Sequence, residues 1–261
     1  MNFMKNNVNE FGLVNSLTDI INNDEEDSTN VVIAKYILNH INSLKELNIF
    51  DMAEECFVTR ASIRRFCQNI GFENFREMKN CSQQHYSFYK QSPYVENYDE
   101  YLVELINEML ADCTKCYNGE KYKLASLMKD AKSVIFLISD IYSSRCIEFQ
   151  KMMIMNGKMV RVIRHGFSKN KLLNNLLEED LLVVVSVSGG FALEIKDVIE
   201  DKICQKALIT TINDKKILSI YNHIFRVSKK PILPYKSIFH TYAIEYYLDL
   251  VCNDYINQIR E

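Results

Sequence analysis

Proline is nearly missing from this chain of 261 residues, with three in all and only Pro93 before residue 230. Long stretches therefore meet no obligatory helix breaker, and Gln91-Ser92-Pro93-Tyr94 is where helix is disfavoured. A domain boundary is expected there: a helical domain over residues 1–90, a linker over 91–98 and a second domain over 99–261. Missing too is any run near the ~18–20 continuous apolar residues that a membrane helix needs, so no membrane partner is expected. The opening segment Met1-Asn-Phe-Met-Lys-Asn-Asn7 has no long apolar core of a signal peptide, and the expected location is cytoplasmic.

Charge of one sign is also scarce overall. The net charge is −3, which argues against indiscriminate coating of nucleic acid. Zinc-type ligand pairs are lacking: Cys113-Thr-Lys-Cys116 is a lone pair, and none of the five histidines (40, 85, 165, 223, 240) supplies a second, so neither metal nor cofactor is expected. The eight cysteines fall mostly inside apolar periodic patterns. Reduced thiols there act as small hydrophobes, and a disulfide framework is not expected. What remains is an ordinary globular composition, 48% hydrophobic and 25% charged, long enough for two modest domains.

The most informative stretch present is Asn48 to Phe75. Ile49, Met52 and Ala53 supply the inner face of one short helix, with small Ala53 where a second helix would cross closely, and Val58 anchors a turn. Thr59, or Ser62 one turn on, can cap the second helix, after which Ile63, Phe66, Cys67 and Ile70 return every three or four residues. Thr59, Arg60, Ser62, Arg64, Arg65 and Gln68 occupy the other side, with Asn69. These are donors suited to phosphates and base edges, and such a helix can lie in a major groove. From Arg60 to Lys79 five basic residues face only Glu73 and Glu77, whereas Asp24-Glu-Glu-Asp27 upstream is acidic. A capped amphipathic helix with a basic wet side is also an ordinary solvated surface, so these residues alone leave both readings open.

Ile49 to Lys79, especially Val58-Thr59, Arg65-Phe66-Cys67 and Gly71-Phe72-Glu73-Asn74-Phe75, resembles the helix-turn-helix of RpiR/MurR-type transcriptional regulators. The resemblance implies a double-stranded DNA operator as partner. One departure is Phe57, at a turn position where glycine is common because the backbone tends towards positive φ. Around this motif, apolar spacing predicts helices over residues 11–21, 31–41 (capped by Ser28 or Thr29) and 72–89, with Gly71 closing the reading helix.

After Pro93 the pattern changes. Helices are expected over residues 98–117 and 122–130. Then come short apolar runs at 133–138, 159–163, 181–185, 207–212 and 223–227, with helical segments at 142–156, 169–178, 190–204 and 214–221 between them. Such runs indicate a parallel sheet covered on both faces. The fold class is thus an all-α helix-turn-helix domain followed by an α/β doubly wound parallel-sheet domain. In Val185-Ser186-Val187-Ser188-Gly189-Gly190 a strand enters two hydroxyls, two glycines and a helix, either a phosphate cradle or a plain capping turn.

That stretch resembles the Ser-x-Ser-Gly motif of the SIS (sugar isomerase) domain, which follows the helix-turn-helix in RpiR/MurR-type regulators and commonly senses a phosphosugar. The two resemblances together span about residues 15–256. They imply an SIS-like domain that dimerises and an effector site using Ser143, Ser144, Ser186, Ser188, Gly189 and Thr211. The departures bear on the ligand. Where the SIS pattern has a Gly-x-Gly-x-Ser turn, this chain has Ile138-Ser-Asp-Ile-Tyr-Ser-Ser144, with no glycine, with Asp140 where phosphate oxygens would approach, and with Tyr142 at the serine position. Phe191 stands where a threonine is usual. Common phosphosugars are therefore expected to bind weakly, and the true effector to be a less anionic, sugar-related metabolite.

An isomerase would need a base beside the substrate carbon. Glu148, Glu194, His165, His223 and His240 qualify by type only, and no catalytic residue is expected. Tyr242, Tyr246 and Tyr247 read as packing or dimer contacts. The expectation is a non-enzymatic regulator of sugar-metabolism genes, a homodimer or higher homo-oligomer. The alternatives are a phosphosugar isomerase-like enzyme or an SIS-type binding module with a helical appendage.

Overall fold

The computed structural model describes residues 10–80, 94–139, 142–164, 171–230 and 238–260. The chain divides into two compact units, residues 1–87 and 88–261. Pro93, Asp140 and His165 lie outside the described residues.

The first unit contains helices α1 (Glu10–Asn23), α2 (Thr29–Asn39), α3 (Ile49–Glu55), α4 (Arg60–Asn69) and α5 (Phe75–Lys79), with a 3-10 segment, Ile41–Glu46, between α2 and α3. Polar side chains start four of them. Ser28 Oγ accepts from Val31 N–H at 3.2 Å, Asn48 Oδ1 from Phe50 N–H at 2.9 Å, Thr59 Oγ1 from Ser62 N–H at 3.1 Å, and Asn74 Oδ1 from Glu77 N–H at 2.9 Å. Each cap satisfies an orphan amide and stabilises its helix by about 1 kcal/mol. The helices share one core, in which Leu13, Leu17, Ile33, Ile37, Leu44, Met52, Ile63, Phe66, Cys67 and Met78 are buried.

Two boundaries differ from the sequence reading. The helix expected to reach Ile41 stops at Asn39. His40 ends it, its ring Nδ1 2.8 Å from the Tyr36 carbonyl and its imidazole stacked on Tyr36 at 4.3 Å. The helix expected from residue 72 starts at Phe75, because Gly71 and Phe72 close the previous helix and Asn74 caps the next. Its expected continuation over residues 81–89 lies outside the described residues.

The second unit opens with α6 (Tyr98–Asn118) and α7 (Lys123–Asp130). It continues through β1 (Val134–Ile138), α8 (Ser143–Met155), β2 (Val160–Arg164), α9 (Lys171–Asn174), β3 (Leu181–Val185), α10 (Gly190–Glu194), α11 (Lys196–Ile199), β4 (Gln205–Thr210), α12 (Lys215–Leu218), β5 (His223–Arg226) and α13 (Ile238–Arg260). The five strands form one sheet in the order β2-β1-β3-β4-β5, with every pairing parallel.

Alternation sorts the strand residues into two layers. Phe136, Ile138, Val183, Val185, Ile209 and Phe225 pack with α7, α8 and α13 residues such as Met128, Phe149, Ile244 and Leu248. Ile135, Leu137, Leu182, Val184 and Leu208 face the opposite layer with Leu173, Phe191, Ile195, Ile199 and Ile217. Both faces are covered, which is the doubly wound arrangement expected. The second layer is built from shorter pieces than expected: the described part of 169–178, from residue 171 on, holds only α9, and 190–204 splits into α10 and α11 at Ile195. Continuous sheet contact through Phe191, Ala192, Ile195 and Ile199 holds these pieces without long helices.

One buried carboxylate ties α13 to the start of the unit. Asp254 Oδ2 accepts from the Tyr117 hydroxyl and, at 3.2 Å, from Tyr122 N–H. Burial and this carboxylate raise the Tyr117 phenol above its ordinary range.

Candidate functional site

Two places combine exposed polar groups with a rigid frame: the face of α4 and the carboxyl-end crevice of the sheet. On α4, Ile63, Phe66 and Cys67 are buried while Arg60, Arg64, Arg65 and Gln68 stand exposed on the other side. Cys67 Sγ meets Met78 Sδ at 3.8 Å, fixing α4 against α5. At its N-terminus the Thr59 and Ser62 hydroxyls lie 2.9 Å apart, so the capping hydroxyl is held while both residues stay at the surface. Arg60 is braced as well: its guanidinium carbon sits 4.5 Å from the centroid of the Phe50 ring on α3, a cation–π contact.

The turn from α3 into α4 is a helix-ending motif with two backbone bonds, Phe57 N–H to Glu54 O at 3.2 Å and Val58 N–H to Ala53 O at 2.9 Å. It requires positive φ at Phe57, which takes +54°. The strained turn anticipated from the missing glycine is thus present.

In the sheet, β1 leads to β2 on one side and borders β3 on the other, so strand order reverses at β1/β3. Ligands of open parallel sheets bind at the carboxyl ends of strands beside such a point. Ser139 and the Ser186–Gly190 segment leave the sheet there, and Ser143 and Ser144 open α8.

Ser186 is 2% exposed, and its Oγ accepts from Ala192 N–H at 3.0 Å, pinning α10 to β3. Its hydroxyl can still donate one proton. Gly189 N–H donates to Ser186 O at 3.2 Å, and Gly189 takes φ +80° with no room for a side chain, since a Cβ would stand 2.6 Å from Ile212 Cδ1. The Thr210 and Thr211 hydroxyls donate to Val187 O at 3.2 and 2.9 Å, clasping the loop to β4. Ser188 is exposed, as is Ser144 in the first turn of α8, with Ser143 half-buried beside it. Tyr142 lies in the core, 4% exposed. Phe191 joins the apolar layer beneath the sheet, so its ring serves packing there.

Two of the candidate bases have partners of their own. His223 starts β5, with Nε2 3.3 Å from Gln205 Oε1 at the amino end of the sheet, away from the crevice. Burial lowers its pKa. Glu148 pairs with Lys151 at 3.0 Å on α8. Burial raises the Cys113 and Cys116 thiols, which disfavours the thiolate that metal binding or nucleophilic attack requires. Among the described residues, no group of three His, Cys, Asp or Glu side chains is placed to hold a metal ion. Nor is any helix among them long and apolar enough to cross a membrane.

A family model for the helix-turn-helix domain of the rpiR family matches residues 15–87. The match covers the helices that include α4 and stops short of the sheet. The chain is similar to the HTH-type transcriptional regulator GlvR of Bacillus subtilis, 25% identical over 60% of this chain and 60% of that protein. An uncharacterized HTH-type transcriptional regulator of Caldanaerobacter subterraneus is 45% identical over 18% of this chain and 17% of that protein. The chain thus spans well under two thirds of either relative. By fold, it is similar to the Vibrio vulnificus NanR protein, whose structure was solved with ManNAc-6P, at a TM-score of 0.53 and 16% identity, over 95% of this chain and 93% of that one.

All six residues singled out from the sequence lie within the matched residues, on one helix, α4, or its cap. The sequence reading missed two neighbours. Phe50, whose ring carries Arg60, precedes the turn by one helix, and only its spacing from Ile49 and Met52 marked it as outward-facing. Arg226, at the carboxyl end of β5, donates from Nη1 to Ile212 O and from Nη2 to Asn213 Oδ1 at 2.7 Å, bracing the loop after β4. An arginine closing an apolar run was its only signal.

Proposed function

We propose that this chain is a DNA-binding transcriptional regulator of sugar-metabolism genes, in which α4 reads an operator and the SIS-like unit takes a sugar-related effector. The observation that carries this reading is the α4 face itself: Thr59, Arg60, Ser62, Arg64, Arg65 and Gln68 share one side of a capped helix in an rpiR-family domain. Arginine donates in a planar fork that suits guanine edges and phosphates, and the helix N-terminus is the end that approaches bases. Two copies would read two half-sites, because a single helix-turn-helix buries little DNA surface, and we assign the second unit as the dimerising element.

For the effector we propose the β1/β3 crevice, with Ser143, Ser144, Ser186 and Ser188 as hydroxyl donors and Gly189 and Thr211 as parts of the frame. Thr211 and Gly189 N–H are committed to the backbone, so the remaining donors are neutral hydroxyls. This supports a ligand less anionic than the ManNAc-6P bound by the Vibrio vulnificus protein. We read the site as sensing.

Neutralising Arg60, Arg64 and Arg65 together tests the reading. Anisotropy on duplexes selected from genomic fragments should show specific binding lost, with a single Arg64→Ala change weakening it by about 1–3 kcal/mol if Arg64 meets a base. Unchanged affinity of the triple variant would refute the assignment.

A further inference from the structure

Among the described residues, three helices end with the same backbone motif. α4 ends with Gly71 N–H on Gln68 O at 3.1 Å and Phe72 N–H on Cys67 O at 2.9 Å; α8 ends with Gly157 N–H on Ile154 O at 3.0 Å and Lys158 N–H on Met153 O at 2.9 Å. The third is the turn at Phe57. The residue that must adopt positive φ is glycine in the first two, at +97° and +83°, and phenylalanine in the third, at +54°.

A left-handed conformation strains any side chain with a Cβ, and glycine relieves it. The strain at Phe57 has no packing return, because the residue is 96% exposed. A backbone outlier carrying a fully exposed aromatic ring licenses a hypothesis of function. Its position narrows the choice. Phe57 lies two residues before Thr59, the cap of α4, on the end of that helix which approaches bases, beside the exposed cations Arg60, Arg64 and Arg65. Glu54 and Glu55 precede it on α3, so the cationic complement to DNA comes from the α4 side.

We infer that Phe57 is a specificity-determining residue that enters the groove alongside α4 and makes an apolar contact with the 5-methyl group of a thymine. This rests on the operator-binding reading above. Aromatic contact with that methyl is one of the few ways an uncharged side chain distinguishes bases. The left-handed backbone aims the ring outward from a turn that would otherwise present only main chain.

The test uses the full chain and a duplex selected by it from a randomised pool. Each thymine is replaced in turn by uracil, which removes one methyl and leaves every phosphate and hydrogen-bonding edge in place. The wild-type chain should lose roughly fourfold in affinity at one thymine per half-site, the worth of one methyl group taken out of water. Phe57→Gly should bind the parent duplex more weakly and be indifferent to uracil at that position, while its melting temperature stays level or rises. A second variant, Phe57→Leu, should recover part of the uracil sensitivity.

Equal uracil profiles for the wild type and Phe57→Gly would overturn the inference while leaving operator binding standing. So would wild-type affinity in Phe57→Gly, which would point to a protein partner for the ring. A lowered melting temperature would overturn it as well, by showing a structural role. Recovery of no enriched duplex would overturn the operator reading together with this one.

Discussion

Gly189→Ala is the substitution at which the crevice geometry makes its sharpest demand. The new methyl meets two obstacles. It must accept φ +80°, at about 1–2 kcal/mol for a residue with a Cβ. It would also stand 2.6 Å from Ile212 Cδ1 and 2.9 Å from Ile212 Cγ2, both inside contact distance. Two atoms of one branched side chain cannot both retreat by a small rotation, and overpacking of this kind costs about 1–3 kcal/mol. Together the two terms come to roughly 2–5 kcal/mol.

A two-unit chain does not unfold in one step, so the loss is better read locally, by amide hydrogen exchange of peptides covering β3 and β4. Exchange there should accelerate about 30- to 5000-fold at 1.36 kcal/mol per tenfold, with peptides from α3 and α4 unchanged. In an Ile212→Ala background the clash disappears and only the backbone strain remains, so the same substitution should cost about 1–2 kcal/mol. An equal cost in both backgrounds would refute the packing argument. An acceleration below threefold would refute the whole account.

Calorimetric screening should find neutral sugars or amino sugars binding more tightly than ordinary hexose phosphates, and Ser186→Ala with Ser188→Ala should abolish what binding there is. Micromolar binding of a hexose phosphate, lost in that double variant, would reverse the ligand assignment. Sedimentation should give a dimer for the full chain and for a fragment from Tyr94 onward, and a monomeric fragment at micromolar concentration would remove the dimer from that unit. Burial pushes the Cys67, Cys113 and Cys146 thiols up to about 12 from an ordinary 9.0. The unfolded chain releases these protons first, so this contribution to stability is full below pH 9 and falls as pH rises towards 12. Urea midpoints measured from pH 8 to 11 should therefore decline, and disulfide-exchange reagents should label these three residues at pH 8 only after unfolding.

The elements of the reading domain were legible because their signals are local. Ser28 and Thr59 sit one residue before the helices they cap, and Ile63, Phe66 and Cys67 recur at helical spacing without reference to anything distant, whereas the caps Asn48 and Asn74 were not read from the sequence. The apolar runs of the second half announced five strands for the same reason, most plainly β1 and β3, which are covered on both faces and have no polar alternation to lose. The long helices expected over residues 169–178 and 190–204 failed because periodicity cannot tell a helix from short turns held by the sheet beneath. What the crevice hydroxyls do was beyond the sequence altogether. Ser186 and Thr211 resemble ligand donors on paper, yet the fold brings Ala192 N–H to one and Val187 O to the other. Those partners are 6 and 24 residues away, and only strand pairing decides that they meet. Phe57 lies between the two cases. Its departure from glycine is visible in the chain, but that its ring points into solvent and not into a core is a fact of tertiary packing alone.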